Sequence, residues 1–159
     1  IFLGPDYRFE LVRPGVSLYG GGPLERPDER LKAVATLAAP ILDIRNVEVG
    51  ELIGYGGQVR AEAPTRVAVV AAGYADGVIR AAKGDGYAWF AGARRRLLIV
   101  NMDILAIDLG DTEAQPGQMV ELLGPNAHLD DMASAAGTVA HEVLVRLSRR
   151  AERVYAGEL

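Results

Sequence analysis

Two tyrosines stand where neighbouring side chains have been removed. Tyr55 lies in Gly54-Tyr55-Gly56-Gly57 and Tyr74 in Gly73-Tyr74-Ala75-Asp76-Gly77. Glycines on both sides present a bulky ring at a turn or strand end instead of packing it among equals. A phenol can donate and accept a proton, but it ionises near pH ~10, so base work at neutral pH needs positive neighbours. Read alone, each tyrosine is also accounted for by a structural role. Arg13-Pro14-Gly15 offers a guanidinium beside backbone N–H groups, a pairing that suits a phosphate or a ring nitrogen, although the same tripeptide is a common turn. The chain has 2 histidines, which excludes a three-His metal site and gives a Ser-His-Asp triad little support. No metal is expected. His128 reads as a surface residue before a helix. His141 falls in the first turn of the last helix, where a side chain can help free N–H groups hold an anion; a solvated polar face accounts for it equally well.

The elements that must position these residues are mostly strands. Short β-rich runs (Leu31–Val47, Thr65–Ala72, Tyr87–Phe90, Arg95–Val100, Ile104–Leu109, Gln118–Leu123) alternate with Gly, Pro and Asp-Gly breakers, the pattern of a β barrel or sandwich. Tyr87–Phe90 and Arg95–Val100 read as a hairpin through Ala91-Gly92-Ala93, and Arg94-Arg95-Arg96 as a solvated strand edge. Towards the tail, Asp130–Ala136 predicts a helix stopped by Gly137. Thr138 is placed to cap a second helix reaching Arg149, with Val139, Val143, Leu144 and Leu147 on one face. Arg153-Val154-Tyr155 reads as a last edge strand. At the head, Phe9–Val12 is strand-like and breaks at Arg13-Pro14-Gly15; Leu24–Arg30 reads as a linker, which puts a boundary near residue 25.

Composition narrows the function. With 159 residues, 50% apolar, the chain is long enough for its own core without staples. Lys and Arg total 17 against 21 acids, an unfavourable balance for binding nucleic acid. No apolar run approaches the ~20 residues of a membrane helix, so no membrane partner is expected. Cysteine is absent, which excludes thiolate chemistry and fits a reducing, cytoplasmic setting. The start at Ile1-Phe2-Leu3-Gly4 carries no signal-peptide pattern and reads as mid-protein, so a longer protein is expected.

Taken in order, the motifs resemble the C-terminal part of the pyridoxal-phosphate-dependent alanine racemases. Arg13–Gly20 (RPGVSLYG), Ile53–Gly57 (IGYGG), Gly73–Gly77 (GYADG), Asn101-Met102-Asp103, Ala136–Glu142 (AGTVAHE) and Leu147–Tyr155 (LSRRAERVY) follow at fitting separations across almost the whole chain. The resemblance implies a mainly β fold: the C-terminal β domain, barrel- or sandwich-like, of a fold-type III pyridoxal-phosphate enzyme, residues 26–159, with two short helices near its tail. Residues 1–25 would be the remnant of an N-terminal TIM-type barrel, with its last strand at the head. The implied enzyme is a homodimer acting on a small amino acid, interconverting L- and D-alanine and so supplying D-alanine for peptidoglycan.

The resemblance also implies roles. Tyr55 would move a proton on one face of the substrate α-carbon while a lysine outside this chain, which also holds pyridoxal 5'-phosphate, serves the other. Arg13 would hydrogen-bond the pyridine nitrogen, Gly15 and Val16 would offer N–H groups to the phosphate, and His141 stands near it where the family usually has tyrosine. Met102 would contact the substrate carboxylate through its backbone, and Tyr74 would line the entrance. Other departures are Leu98-Ile99 for a usual Gly-Arg pair, Asn101 for a small residue, and Val78-Ile79 for a common Tyr-Pro. Lys32 and Lys83, the only lysines, match no family motif, so the chain alone is not expected to racemise. The alternatives are another fold-type III enzyme, a broad-specificity racemase or an amino-acid decarboxylase, although those decarboxylases typically use a β-domain cysteine that is missing here. A non-catalytic dimerisation barrel is the third reading; it gives Tyr55 no reason for its glycines. In the full-length protein, Arg13→Glu should permit a protonated ring nitrogen. The expected result is slower racemisation with more transamination, followed as pyridoxamine formation. Neither change appearing would show that Arg13 does not face the ring.

Overall fold

One strand, β1 (Leu37–Val47), pairs with two neighbours and thereby closes a barrel. The structure is a computed structural model, and it describes residues 2–157. After β1 come the short strands β2 (Leu52–Ile53) and β3 (Val59–Arg60), then β4 (Thr65–Val70), β5 (Tyr87–Phe90), β6 (Ala93–Val100), β7 (Leu105–Gly110) and β8 (Met119–Leu123). Helices α1 (Leu129–Ala135) and α2 (Ala140–Arg146) follow. Around the barrel the order is β1-β4-β7-β6-β5-β8, every pairing antiparallel. The first part of β1, Leu37–Pro40, pairs with β8; the second, from Ile41, pairs with β4. Pro40 marks the change of partner. It has no N–H to give to a ladder, and its carbonyl accepts from Ala71 N–H at 2.9 Å.

The barrel is filled by Ile41, Val70, Leu97, Val100, Leu105, Ile107, Leu109, Val120 and Leu122, all essentially inaccessible. Strand periodicity puts Leu105, Ile107 and Leu109 of β7 inside and Ala106 outside. β6 breaks that rule. Its register with β7 shifts between Leu97 and Ile99, so that Leu98 and Ile99 both join an apolar cluster outside the barrel wall, with Val47, Ile53, Ala61, Val67 and Ala106. This second cluster fastens the β2–β3 hairpin to the barrel.

A mainly β barrel with two short tail helices is as expected, with local differences. The β5–β6 hairpin forms, but through Ala91-Gly92 alone: both residues adopt positive φ (49° and 77°), the tight-turn geometry, and Ala93 already pairs with Phe90. Leu31–Thr36 lies outside β1, whose barrel pairing begins at Leu37. The capping residue of α2 is Val139, not Thr138, whose hydroxyl donates instead to the Glu142 carboxylate. α2 also stops at Arg146, short of Arg149, because Ser148 N–H turns away to the Asp76 carbonyl at 3.2 Å. Arg153–Tyr155 forms no strand.

The head corrects a larger expectation. Phe9–Val12 is exposed and forms no strand here; the ladder it is expected to join belongs to the N-terminal barrel, not to the closed barrel of this domain. Pro5–Tyr7 and Gly15–Tyr19 are 3-10 turns. What ties the head down is Asp130 of α1, 3% exposed, whose Oδ2 accepts from Gly22 N–H at 2.8 Å. Its Oδ1 has no hydrogen-bond partner among the described residues. Burial pushes the Asp130 carboxyl up from 3.8, opposed by the Gly22 N–H and reinforced by the negative Asp131. The folded chain therefore holds this proton more tightly than the unfolded one. The contribution of Asp130 to stability falls as pH rises from the unfolded value through the raised one, and is constant above it. Relative to the native chain, Asp130→Asn should gain stability across that interval, read as a rise of the variant's urea midpoint minus the native one along a pH series. A variant midpoint that falls relative to the native one with rising pH would contradict this.

Candidate active site

Tyr55 owes its position to three glycines and the second cluster. The hairpin turn between β2 and β3 holds Gly54, Gly56 and Gly57 at φ of 84°, 75° and 67°, a region that side-chain-bearing residues resist. Gly57 N–H donates to the Gly54 carbonyl at 3.1 Å, and Gln58 Nε2 donates to the Tyr55 carbonyl at 3.1 Å. Gly54 lies directly on Ile99, where a Cβ would come within 2.8 Å of Ile99 Cδ1. The turn is thus pinned from below while its ring points away, leaving Tyr55 89% exposed.

Tyr74 and Met102 are joined by their backbones. Tyr74–Asp76 forms a 3-10 turn closed by Asp76 Oδ2, which accepts from Gly73 N–H at 2.9 Å. Tyr74 N–H donates to the Asn101 carbonyl at 2.9 Å, and Ala75 N–H to the Met102 carbonyl at 3.0 Å. Among the described residues, Met102 N–H makes no hydrogen bond within the protein. Tyr55, Gln58, Tyr74, Arg80, Asn101 and Met102 line one cleft of about 740 Å³. Of the predicted residues, the structure brings together these three: Tyr55, Tyr74 and Met102.

Gly15, Val16 and His141 line a different cleft of about 760 Å³, walled also by Leu144, Leu147 and Arg153–Tyr155. Gly15 and Val16 open a 3-10 turn, so their N–H groups have no acceptor within it. Nothing lies within 4 Å of where a Gly15 Cβ would stand, so an incoming group can approach that backbone closely. His141 is exposed on the first turn of α2. Beside it, Glu142 is held below the usual carboxylate range by the Thr138 hydroxyl and then by Arg146. Backbone N–H groups and an imidazole are a donor set for an anion, and they fit the phosphate end of pyridoxal phosphate. Arg13 is exposed and lines neither cleft. Lys32 lines a third cavity, and Lys83 donates to Gln58 Oε1 at 3.3 Å, so neither lines the cleft of Gly15, Val16 and His141.

Gln58, Asp76 and Ile99 were not singled out for these positions by sequence. For Asp76 a signal existed: an acid three residues after Gly73 can reach back to its N–H, as the third-position acid of a capping box does. Ile99 stood out only as a departure, and its supporting role depends on a register shift that alternation does not encode.

A closed antiparallel barrel displays a phenol on an outer hairpin, and a glycine-led 3-10 turn lines a second cleft at its flank. The chain belongs to the alanine racemase C-terminal domain family, whose model matches residues 34–155. It is similar to the catabolic alanine racemase of Agrobacterium fabrum, 42% identical over 159 residues that cover 98% of this chain and 41% of that protein. Among solved structures it resembles alanine racemase from Acinetobacter baumannii, with TM-score 0.87 and 38% identity, over 94% of this chain and 43% of the other. It also resembles alanine racemase from Bartonella henselae with covalently bound pyridoxal phosphate, with TM-score 0.86 and 35% identity, over 98% and 44%. The chain thus spans less than half the length of these relatives, which are isomerases.

The contact between the turns at 73–75 and 101–102 is close enough to test. A Cβ on Gly73 would stand 2.3 Å from the carbonyl oxygens of both Asn101 and Met102. Gly73→Ala should therefore force the turns apart and lower stability by about 1–3 kcal/mol, the scale of overpacking. A urea midpoint equal to that of the native chain would show that the two turns do not meet this closely.

Proposed function

We propose that this chain is the C-terminal β domain of an alanine racemase, a cytoplasmic homodimer that uses pyridoxal 5'-phosphate to interconvert L- and D-alanine and supplies D-alanine for peptidoglycan. The observation that carries the reading is the shared cleft of Tyr55, Tyr74 and Met102: a glycine-flanked phenol, 89% exposed, in one cleft with a residue whose N–H makes no hydrogen bond among the described residues. When bound, the cofactor withdraws electrons from the substrate α-carbon and makes its proton acidic.

The remaining work falls to the protein. Met102 N–H binds the substrate carboxylate and so fixes which face of the α-carbon meets Tyr55. Tyr74 narrows the approach. Tyr55 Oη gives or takes the proton on its face, and the lysine outside this chain serves the opposite face. Two groups on opposite sides are needed, because a single base returns the proton to the face it left. Gly15 and Val16 N–H groups, with His141 in the same cleft, would hold the phosphate. Arg13 would donate to the ring nitrogen of a bound cofactor; a guanidinium accepts no proton, so it would not favour a protonated ring. The two sets of residues line separate clefts of one chain, which supports a dimer in which each set serves a different active site.

In the full-length enzyme, Tyr55→Phe removes the proton-transferring oxygen and keeps the ring. kcat for L-alanine should fall at least ~100-fold while KM stays within a few fold, measured by D-alanine formation. Near-native turnover in this variant would sink the assignment of Tyr55.

A further inference from the structure

Beyond the residues already assigned, the segment following α2 reaches back to the two turns that carry Tyr74 and Met102. Ser148 N–H donates to the Asp76 carbonyl at 3.2 Å, and Arg150 N–H donates to Ser148 Oγ at 3.1 Å. The Arg150 guanidinium then spans two carboxylates. Its Nε stands 3.4 Å from Asp76 Oδ1, and its Nη1 2.7 Å from Asp103 Oδ1. Asp76 is largely enclosed, its side chain 14% exposed, and its other oxygen closes the Tyr74 turn through Gly73 N–H. Asp103 directly follows Met102.

We propose that Arg150 is a positioning residue for substrate binding: by holding Asp76 and Asp103 together it fixes the Tyr74 turn against the Met102 turn, and so aims the Met102 N–H into the cleft. The inference rests on the function proposed above. The physical case is one of geometry and charge. Two aspartates on adjacent turns repel each other, and the planar fork of arginine can serve both at once. Without it, the two backbone hydrogen bonds from Tyr74 and Ala75 must hold the turns alone against that repulsion. Arg150 is half-exposed, so its contribution to global stability is small. Its effect falls on local order instead. α2 carries His141 at its start and leads to Arg150 beyond its end, so one short segment borders the phosphate cleft and braces the substrate cleft.

The test uses the full-length protein with Arg150→Ala, Arg150→Lys and Asp103→Asn. Since Met102 N–H binds the carboxylate in ground and transition states alike, Arg150→Ala should raise KM for alanine about tenfold with kcat within about twofold. Lysine, a point charge that serves one carboxylate at a time, should recover part of the loss. Asp103→Asn should raise KM less than Arg150→Ala, because it also removes one of the repelling charges. Hydrogen exchange should quicken in residues 73–77 and 101–104 in Arg150→Ala and stay native in β4 and β7. An unchanged KM with unchanged exchange overturns the proposal, as does a fall in kcat at constant KM. If Arg150→Ala fails to fold, Arg150→Lys and Asp103→Asn carry the same two readouts. A native enzyme that does not racemise alanine would sink the proposed function, and the exchange comparison would still decide whether Arg150 braces the two turns.

Discussion

Everything in this domain hangs on the double pairing of β1. A strand that serves β8 with its first residues and β4 with its last leaves no open edge, and the barrel closes around a dry filling of Val, Leu and Ile. Pro40 sits at the change of partner, where a residue without an N–H costs nothing. Closure gives the protein a rigid wall. The two clefts therefore lie on its outer surface, because the interior is filled with side chains.

The wall acquires its functional face through one irregularity. At the β6 register shift, two successive apolar residues face outward, and the resulting external cluster seats the β2–β3 hairpin. Ile99 presses against Gly54, Gly54 begins the turn, and the turn lifts Tyr55. A side chain that stands free of its neighbours is thus held by apolar packing several residues away. The Tyr74 and Met102 turns use the other route, backbone hydrogen bonds over close contact, in which Gly73 is the one residue small enough to fit.

What could be read from sequence follows the range of the forces involved. The barrel strands were legible because alternation is local, and the exposed Tyr55 because its glycines are adjacent to it. The first helix and its stop at Gly137 were legible for the same reason. The length of α2 was not: Leu147 and Ser148 continue a helical pattern, and only a distant carbonyl, that of Asp76, draws the chain away. Phe9–Val12 failed in the opposite sense. Its pattern fits a strand, but a strand exists only with a ladder beside it, and the ladder expected for it is that of another barrel. The gathering of Tyr55, Tyr74 and Met102 came from resemblance rather than pattern, since nothing in spacing alone brings residues 55, 74 and 102 to one cleft. The partition of the site residues into two clefts was likewise invisible in the order of the chain.

That partition has a genetic consequence. On the proposed function, a lesion at Tyr55 and a lesion at Gly15 or Val16 disable different halves of the machinery on one polypeptide. Two inactive full-length proteins, one of each kind, would assemble into mixed pairs in which both lesions fall in one site and the other site is intact. Interallelic complementation of this sort is written into the distance between a hairpin on one side of a barrel and a 3-10 turn on its flank. A domain that kept all its site residues in a single cleft would be denied it.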